Sequence, residues 1–317
     1  MPNHGTQIVS PPVRVGVTPG IDIWTRPWEE RRKAVNLVAD AGIDHMFFAD
    51  HVSFRIGHGH DGMVISAALA NLHPTLGIYL GVYLLALRHP VPVARQLANL
   101  AEMAPGRISF GIGVGGDDRH EVEVCGVDPR TRGKRTDESL DVLQRLLTGA
   151  TVDHQGEFFS FEQARIVPVP NPPIPFYVGG RSDAALRRAG RFAKGWLGAW
   201  CSSRRYAEAL RVFDDAAAEV GRHFEPDHGI QLWVGVGADQ TEAASFVGPA
   251  MEGFYRVPFD KFARYTPHGT IEDIVDFLSP YLEAGCRHFN LTPVATSTEA
   301  GIEAIGEVGD RLRSMAD

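Results

Sequence analysis

Short apolar runs of strand character alternate along the chain with amphipathic stretches of helical spacing, and the alternation repeats eight times. The apolar runs begin near Arg14, His45, Leu76, Ile108, Pro175, Gly195, Ile230 and His288. Between them the helical stripes are plain. Trp28, Val35, Val38 and Ala41 form the first, closed by Gly42, and Ala94, Leu97 and Ala101 form another, closed by Pro105-Gly106. Thr131 to Leu147 puts Leu140, Leu143, Leu146 and Leu147 on one face. Ser182 caps a helix carrying Ala185, Leu186, Ala189 and Phe192, and Ser202 or Ser203 caps the next, through Leu210 and Phe213 to Gly221. Thr270 and Asp273 frame a capping box before a helix that ends at Gly285, and Ile302 to Leu312 makes a closing helix.

Right-handed βα units repeated eight times close into a (β/α)8 TIM barrel, the fold class the pattern predicts. A doubly wound sheet would use fewer strands and put a phosphate loop after the first one. Two gaps are longer than one βα unit requires. Val152 to Pro173 predicts a hairpin-like or extended insertion after the fourth strand, and Ala238 to Gly269 a helical insertion after the seventh, carrying Phe254, Tyr255, Phe259 and Phe262. No low-complexity linker interrupts the chain, so residues 1–317 read as one domain.

Composition narrows the function classes. A net charge of −8 in 317 residues, with no basic run interleaved with aromatics, argues against nucleic acid. The longest nearly apolar run, Ile78 to Leu87, has 10 residues, half of the roughly 20 that a spanning helix needs. The first residues, MPNHGTQIVSPPV, carry no charged-then-apolar signal and read as a polar tail. Three cysteines, Cys125, Cys201 and Cys286, stand far apart without a CxxC pair, as expected of a reduced, cytoplasmic chain.

In such barrels chemistry collects where strands end in loops on the carboxyl side. The fourth strand runs through RISFGIGVGGDD, with glycines at 111, 113, 115 and 116 that let backbone approach a ligand closely. Gly111, Gly113 and Gly116 satisfy GxGxxG, but DDRHEVEV follows where the dinucleotide fingerprint needs small apolar residues opening a helix. After the fifth strand, Gly179-Gly180-Arg181-Ser182 offers N–H groups, a guanidinium and a hydroxyl at a helix start, an anion-binding set that could equally be an ordinary capped helix. Asp50-His51 ends the second strand with a carboxylate beside the side chain whose unperturbed pKa lies nearest neutrality, and either a proton-transfer or a structural role fits it. His58-Gly-His60-Asp61 has the look of a metal pair, yet later strands supply no further ligands, and no metal is expected.

These segments resemble the luciferase-like family of TIM-barrel flavin and deazaflavin oxidoreductases. FFADH at 47 to 51, LGVYLLALRHP at 80 to 90, GRISFGIGVGG at 106 to 116, PPIPFYVGGRSDAALRRAG at 172 to 190, KGW at 194 to 196 and GTIEDIVDFLSPYLEAG at 269 to 285 carry the likeness, in order across most of the chain. The resemblance implies coenzyme F-420, or alternatively FMN, across the barrel mouth. It implies cofactor contacts from Gly115, Gly116, Asp117, Val178, Gly179, Gly180, Arg181 and Ser182, and a non-proline cis peptide under the ring, for which Tyr83-Leu84 is the nearest counterpart. Deazaflavin members end the second strand in an Asp-His pair, which assigns Asp50 and His51 to the catalytic site, His51 as acid/base. Two departures bear on the substrate. The sugar-phosphate dehydrogenases of the family carry a tryptophan where this chain has Arg55, and a catalytic glutamate where it has Gly116. The implied activity is hydride transfer between F-420 and a small organic substrate. The alternatives are an FMN monooxygenase fed by a separate flavin reductase and a non-catalytic flavin carrier. Family habit adds a possible homodimer.

Overall fold

The computed structural model describes residues 11–316 except 56, 58 and 117, with backbone alone at 21. Eight parallel strands make the barrel: β1 (Arg14–Val17), β2 (His45–Phe48), β3 (Gly77–Leu84), β4 (Ile108–Gly113), β7 (Phe176–Gly179), β8 (Gly195–Ala199), β9 (His228–Val236) and β11 (Cys286–Val294). They pair in that order, and β11 pairs with β1 to close the ring. The onsets lie within two residues of those predicted.

Both insertions lie where the gaps placed them. The first is an antiparallel hairpin, β5 (Val152–Gln155) with β6 (Ser160–Ala164). The second is α8 (Gln240–Tyr255), two 3-10 turns at Phe259–Lys261 and Ala263–Tyr265, and β10 (His268–Gly269), which adds to β9 outside the ring. The outer helices are α1 (Trp28–Asp40), α2 (Gly62–Leu72), α3 (Pro90–Met103), α4 (Arg119–Val124), α5 (Arg132–Leu146), α6 (Asp183–Phe192), α7 (Ser203–Glu219), α9 (Ile271–Glu283) and α10 (Thr298–Ala316). Helix α2 was not singled out by its pattern, because GMVISAALANL is apolar nearly all round and shows no stripe. No helix among the described residues is long and apolar enough to cross a membrane.

Strand alternation divides the core in two. Outward-facing residues such as Ile78, Phe110, Ile112, Leu232 and Leu291 pack against helices in the main core. Inward-facing Phe47, Tyr79, Tyr177 and Leu197 form a separate cluster that plugs the lumen, with Val82 against it. Below and beside the plug the lumen is polar. His45 hydrogen-bonds Asn290 at 2.7 Å, and Asp227 accepts from Tyr177 (3.0 Å) and faces His288 (2.7 Å).

Candidate active site at the barrel mouth

Above the plug, the inward positions on β3, β4, β7 and β8 are small. Val82 projects between β4 and β7, where a Cβ on Gly113 would lie 2.5 Å from its Cγ2 and one on Gly179 2.9 Å from its Cγ1. A Cβ on Gly81 would meet the Gln231 side-chain oxygen at 2.6 Å, and Ala199 occupies the adjoining position on β8. Glycine is required at 113 and 179 because any side chain there would displace Val82. The two glycine loops therefore open at the same pole, on either side of Val82. The cis peptide joins Gly81 to Val82, two residues before the Tyr83-Leu84 position expected. Tyr83 is instead buried against Phe110 and under the Arg88 guanidinium, and the Leu84 amide donates to Asp50.

The Asp50-His51 pair separates on folding. The Asp50 side chain is fully buried and accepts from Arg88 at 2.6 and 2.8 Å, from the Gly62 amide at 2.9 Å and from the Leu84 amide at 2.9 Å. Burial raises its pKa, with Arg88 and the two amides opposing. Asp50 thus ties the ends of β2 and β3 to the start of α2, and its oxygens are all engaged in that knot.

His51 turns the other way. Its Nδ1 lies 3.1 Å from Glu121 on the short helix α4, beyond the strand-four glycines. Glu121 is 3% exposed and also accepts from the Val52 and Ser53 amides at 2.7 and 3.1 Å. Burial pushes its carboxyl up, but the bonds from His51, Val52 and Ser53 prevail and hold it below the ordinary carboxylate range. An ionised carboxylate only accepts, so His51 Nδ1 carries the proton. Glu121 was not identified from sequence: it lies 70 residues from His51, in a stretch whose Asp118-x-x-Glu121 spacing suggests only a helix start. Asp118 does cap α4 and also accepts from the Arg55 amide.

The phosphate-type loops are open to solvent. Gly115 and Gly116 have positive φ (72° and 142°), and the Arg132 guanidinium stands 3.5 Å from where a Gly116 Cβ would be. Arg132 Nε donates to the Gly115 carbonyl at 3.2 Å. Gly179, Gly180, Arg181 and Ser182 lead into α6, whose Ala185 amide donates to the Ser182 hydroxyl. Trp196 Nε1 donates to the Gly180 carbonyl at 2.7 Å and fixes that loop. Arg181 is exposed and lies over the Trp200 ring, while Val178 points into the main core. Asp117 and His58 lie outside the described residues, as does the first part of the polar tail. Of the HxHD stretch, Asp61 caps α2 and His60 receives the His51 amide on its carbonyl. Among the described residues no group of three His, Cys, Asp or Glu side chains could hold a metal ion.

Barrel and mouth together define a class: a (β/α)8 enzyme scaffold with a glycine-walled ligand floor and an imidazole–carboxylate pair at its rim. A family model described as luciferase-like monooxygenase matches residues 8–274, and the chain belongs to that family, a family of redox enzymes. An uncharacterised protein of Mycobacterium tuberculosis is 38% identical over 134 residues, 42% of this chain, so the match spans under half (46%) of that relative. Along nearly the full length, the chain is 32% identical over 312 residues to an F-420-dependent glucose-6-phosphate dehydrogenase of Beutenbergia cavernae, covering 88% of this chain and 91% of that one. Among solved structures, an F-420-dependent secondary alcohol dehydrogenase with an F-420-acetone adduct superposes with a TM-score of 0.82 at 20% identity, covering 94% and 98% of the two chains. The FMN-bound oxygenating constituent of a diketocamphane monooxygenase of Pseudomonas putida gives 0.73 at 17%, covering 95% and 99%. Both likenesses are of fold.

Proposed function

We propose that this chain is an oxidoreductase that moves hydride between coenzyme F-420 and a small organic substrate, with His51 giving or taking the accompanying proton at Nε2. The observation that carries the reading is the glycine- and alanine-walled floor around Val82, with His51 and Glu121 at its rim. The residues fit a phosphorylated flat ring. Gly81, Gly113, Gly179 and Ala199 leave the space it needs, and Val82 supports one face of it. Gly115, Gly116, Gly180, Arg181 and Arg132, with the positive end of α6, suit its phosphate tail. When bound, the cofactor supplies the carbon that carries the hydride. The chain's own residues position the substrate, exclude water and manage the proton. Glu121 is a positioning residue that holds the imidazole through Nδ1, whereas Asp50 organises the loops. The likeness to an F-420-dependent dehydrogenase along nearly the full length favours F-420 over FMN.

Titrating the purified protein with each cofactor tests the choice. F-420 is expected to bind at micromolar concentration or tighter, and FMN binding with none of F-420 would shift the reading to a reductase-fed monooxygenase. His51→Ala should keep F-420 affinity and lose turnover by about 10²-fold. Undiminished turnover in that variant removes His51 from the proton path, and absence of any turnover in the parent protein favours a flavin carrier.

A further inference from the structure

An unbroken run of aromatic rings borders the mouth from His51 to Arg181. Phe54 sits beneath the His51 ring at 4.3 Å between centroids, and Phe254 of α8 lies nearly parallel to Phe54 at 5.8 Å. Trp233 follows at 5.9 Å from Phe254, then Tyr255, Trp200 and Phe262, with neighbouring centroids 4.8 to 6.1 Å apart. Their placement follows from strand alternation. Trp233 is the next inward position above Gln231 on β9, and Gln231 reaches across the lumen to donate to the Gly81 carbonyl. Trp200 is the first residue beyond β8 and is held at φ 46°, a left-handed conformation that a tryptophan adopts only when its surroundings enforce it. Phe54 apart, these rings are half-exposed, whereas the plug and core rings Tyr79, Tyr177 and Trp196 are at most 1% exposed. A purely structural ring cluster would be sealed in the same way.

The charges at this wall are turned onto it. Arg55 lies over Phe54 and donates to the Tyr255 carbonyl at 2.8 Å, and Arg181 lies over Trp200. Trp233 Nε1 donates to the Tyr255 hydroxyl at 3.0 Å. Deeper in, Arg88 is committed to Asp50. The wall therefore offers mainly ring faces: the Trp233 indole N–H is taken by the Tyr255 hydroxyl, and Arg55 lies flat on Phe54 with one N–H on the Tyr255 carbonyl. A dianionic phosphate needs charge-assisted donors, and one buried against these faces without them would lose its hydration uncompensated.

We infer that the substrate is an uncharged molecule with a flat apolar portion, an aryl-bearing alcohol or ketone rather than a sugar phosphate. The inference rests on the proposed function for the position of the reacting atom beside His51, but its recognition half is measured without turnover. Cofactor-free protein is titrated with acetophenone and, separately, with glucose 6-phosphate, following tryptophan fluorescence from Trp200 and Trp233. F-420 binding is measured in parallel by the cofactor's own fluorescence. Acetophenone is expected to quench saturably, with an affinity indifferent to salt, and Phe254→Ala and Trp233→Leu should each weaken it about tenfold. F-420 affinity should be unchanged in Phe254→Ala, which also reports that the variant is folded. Saturable, salt-sensitive binding of glucose 6-phosphate that ignores both substitutions overturns the inference, as does acetophenone binding that neither substitution weakens. If F-420 binds and acetophenone does not, the substrate class alone is wrong. If acetophenone binds as expected and neither F-420 nor FMN does, the cofactor reading fails while the apolar site stands.

Discussion

At the scale of single residues, the site turns on which carboxylate faces the imidazole. Asp50 adjoins His51 in sequence, yet four hydrogen bonds aim it at Arg88, Gly62 and Leu84. Glu121 takes the position beside His51 and is kept ionised by the bonds it accepts. Glu121→Gln replaces the carboxylate that accepts from His51 Nδ1 while preserving the side chain's shape. It should lower kcat about 10²-fold and leave F-420 affinity intact, as kcat and cofactor binding measured over a pH series will show. Gly113→Ala addresses the floor. Its new methyl would stand 2.5 Å from Val82 Cγ2, so Val82 must move into the ring space. F-420 affinity should fall about tenfold or more while His51 and Glu121 stay in place. The glycines were legible in the sequence because their pattern has few other uses. Glu121 was not, because a pair 70 residues apart leaves no local trace.

At the scale of elements, the loops after β2 and β3 are joined by a buried ion pair rather than by apolar packing. Removing Arg88 leaves the Asp50 charge inside, with only two amides to answer it. Arg88→Leu should therefore destabilise the protein by about 3 kcal/mol, read as a lower urea midpoint at unchanged slope. A midpoint equal to that of the parent would mean that Asp50 takes up a proton without strain. The strands and both insertions were readable because apolar runs and helical stripes are local signals. The cis peptide was placed two residues late, since its position depends on the Val82 side chain fitting between Gly113 and Gly179, a contact among three strands. Arg88 stood in a quoted segment, but its partner is set by how β2 and β3 lie side by side.

At the scale of the whole molecule, two buried histidines, His45 inside the lumen and His228 between the barrel and Phe213 of α7, make stability depend on acid. Burial lowers the pKa of His45 to about 3 and that of His228 to about 4. His228 Nδ1 accepts the Trp196 amide at 3.1 Å, and protonation would destroy that bond. The eightfold βα repeat announced the closed ring, but histidines scattered near strand starts gave no sign of which would be buried, His45 inside the ring and His228 against α7. In the unfolded chain both imidazoles titrate near 6.5. Above that pH neither state carries the extra protons, and the full stability is present. As pH falls below 6.5 the unfolded chain binds two protons that the folded barrel refuses, so stability drops by up to about 1.4 kcal/mol per pH unit for each histidine. The loss from His228 levels off below about pH 4 and that from His45 below about pH 3. Urea unfolding at pH 7 and at pH 5 should therefore show a clear fall in stability, and His228→Gln, which can still accept from Trp196, should remove about half of the slope. A parent protein equally stable at both pH values would mean that these buried positions admit protonated imidazole, and the dry, closed packing around Trp196 and Tyr79 would have to be abandoned.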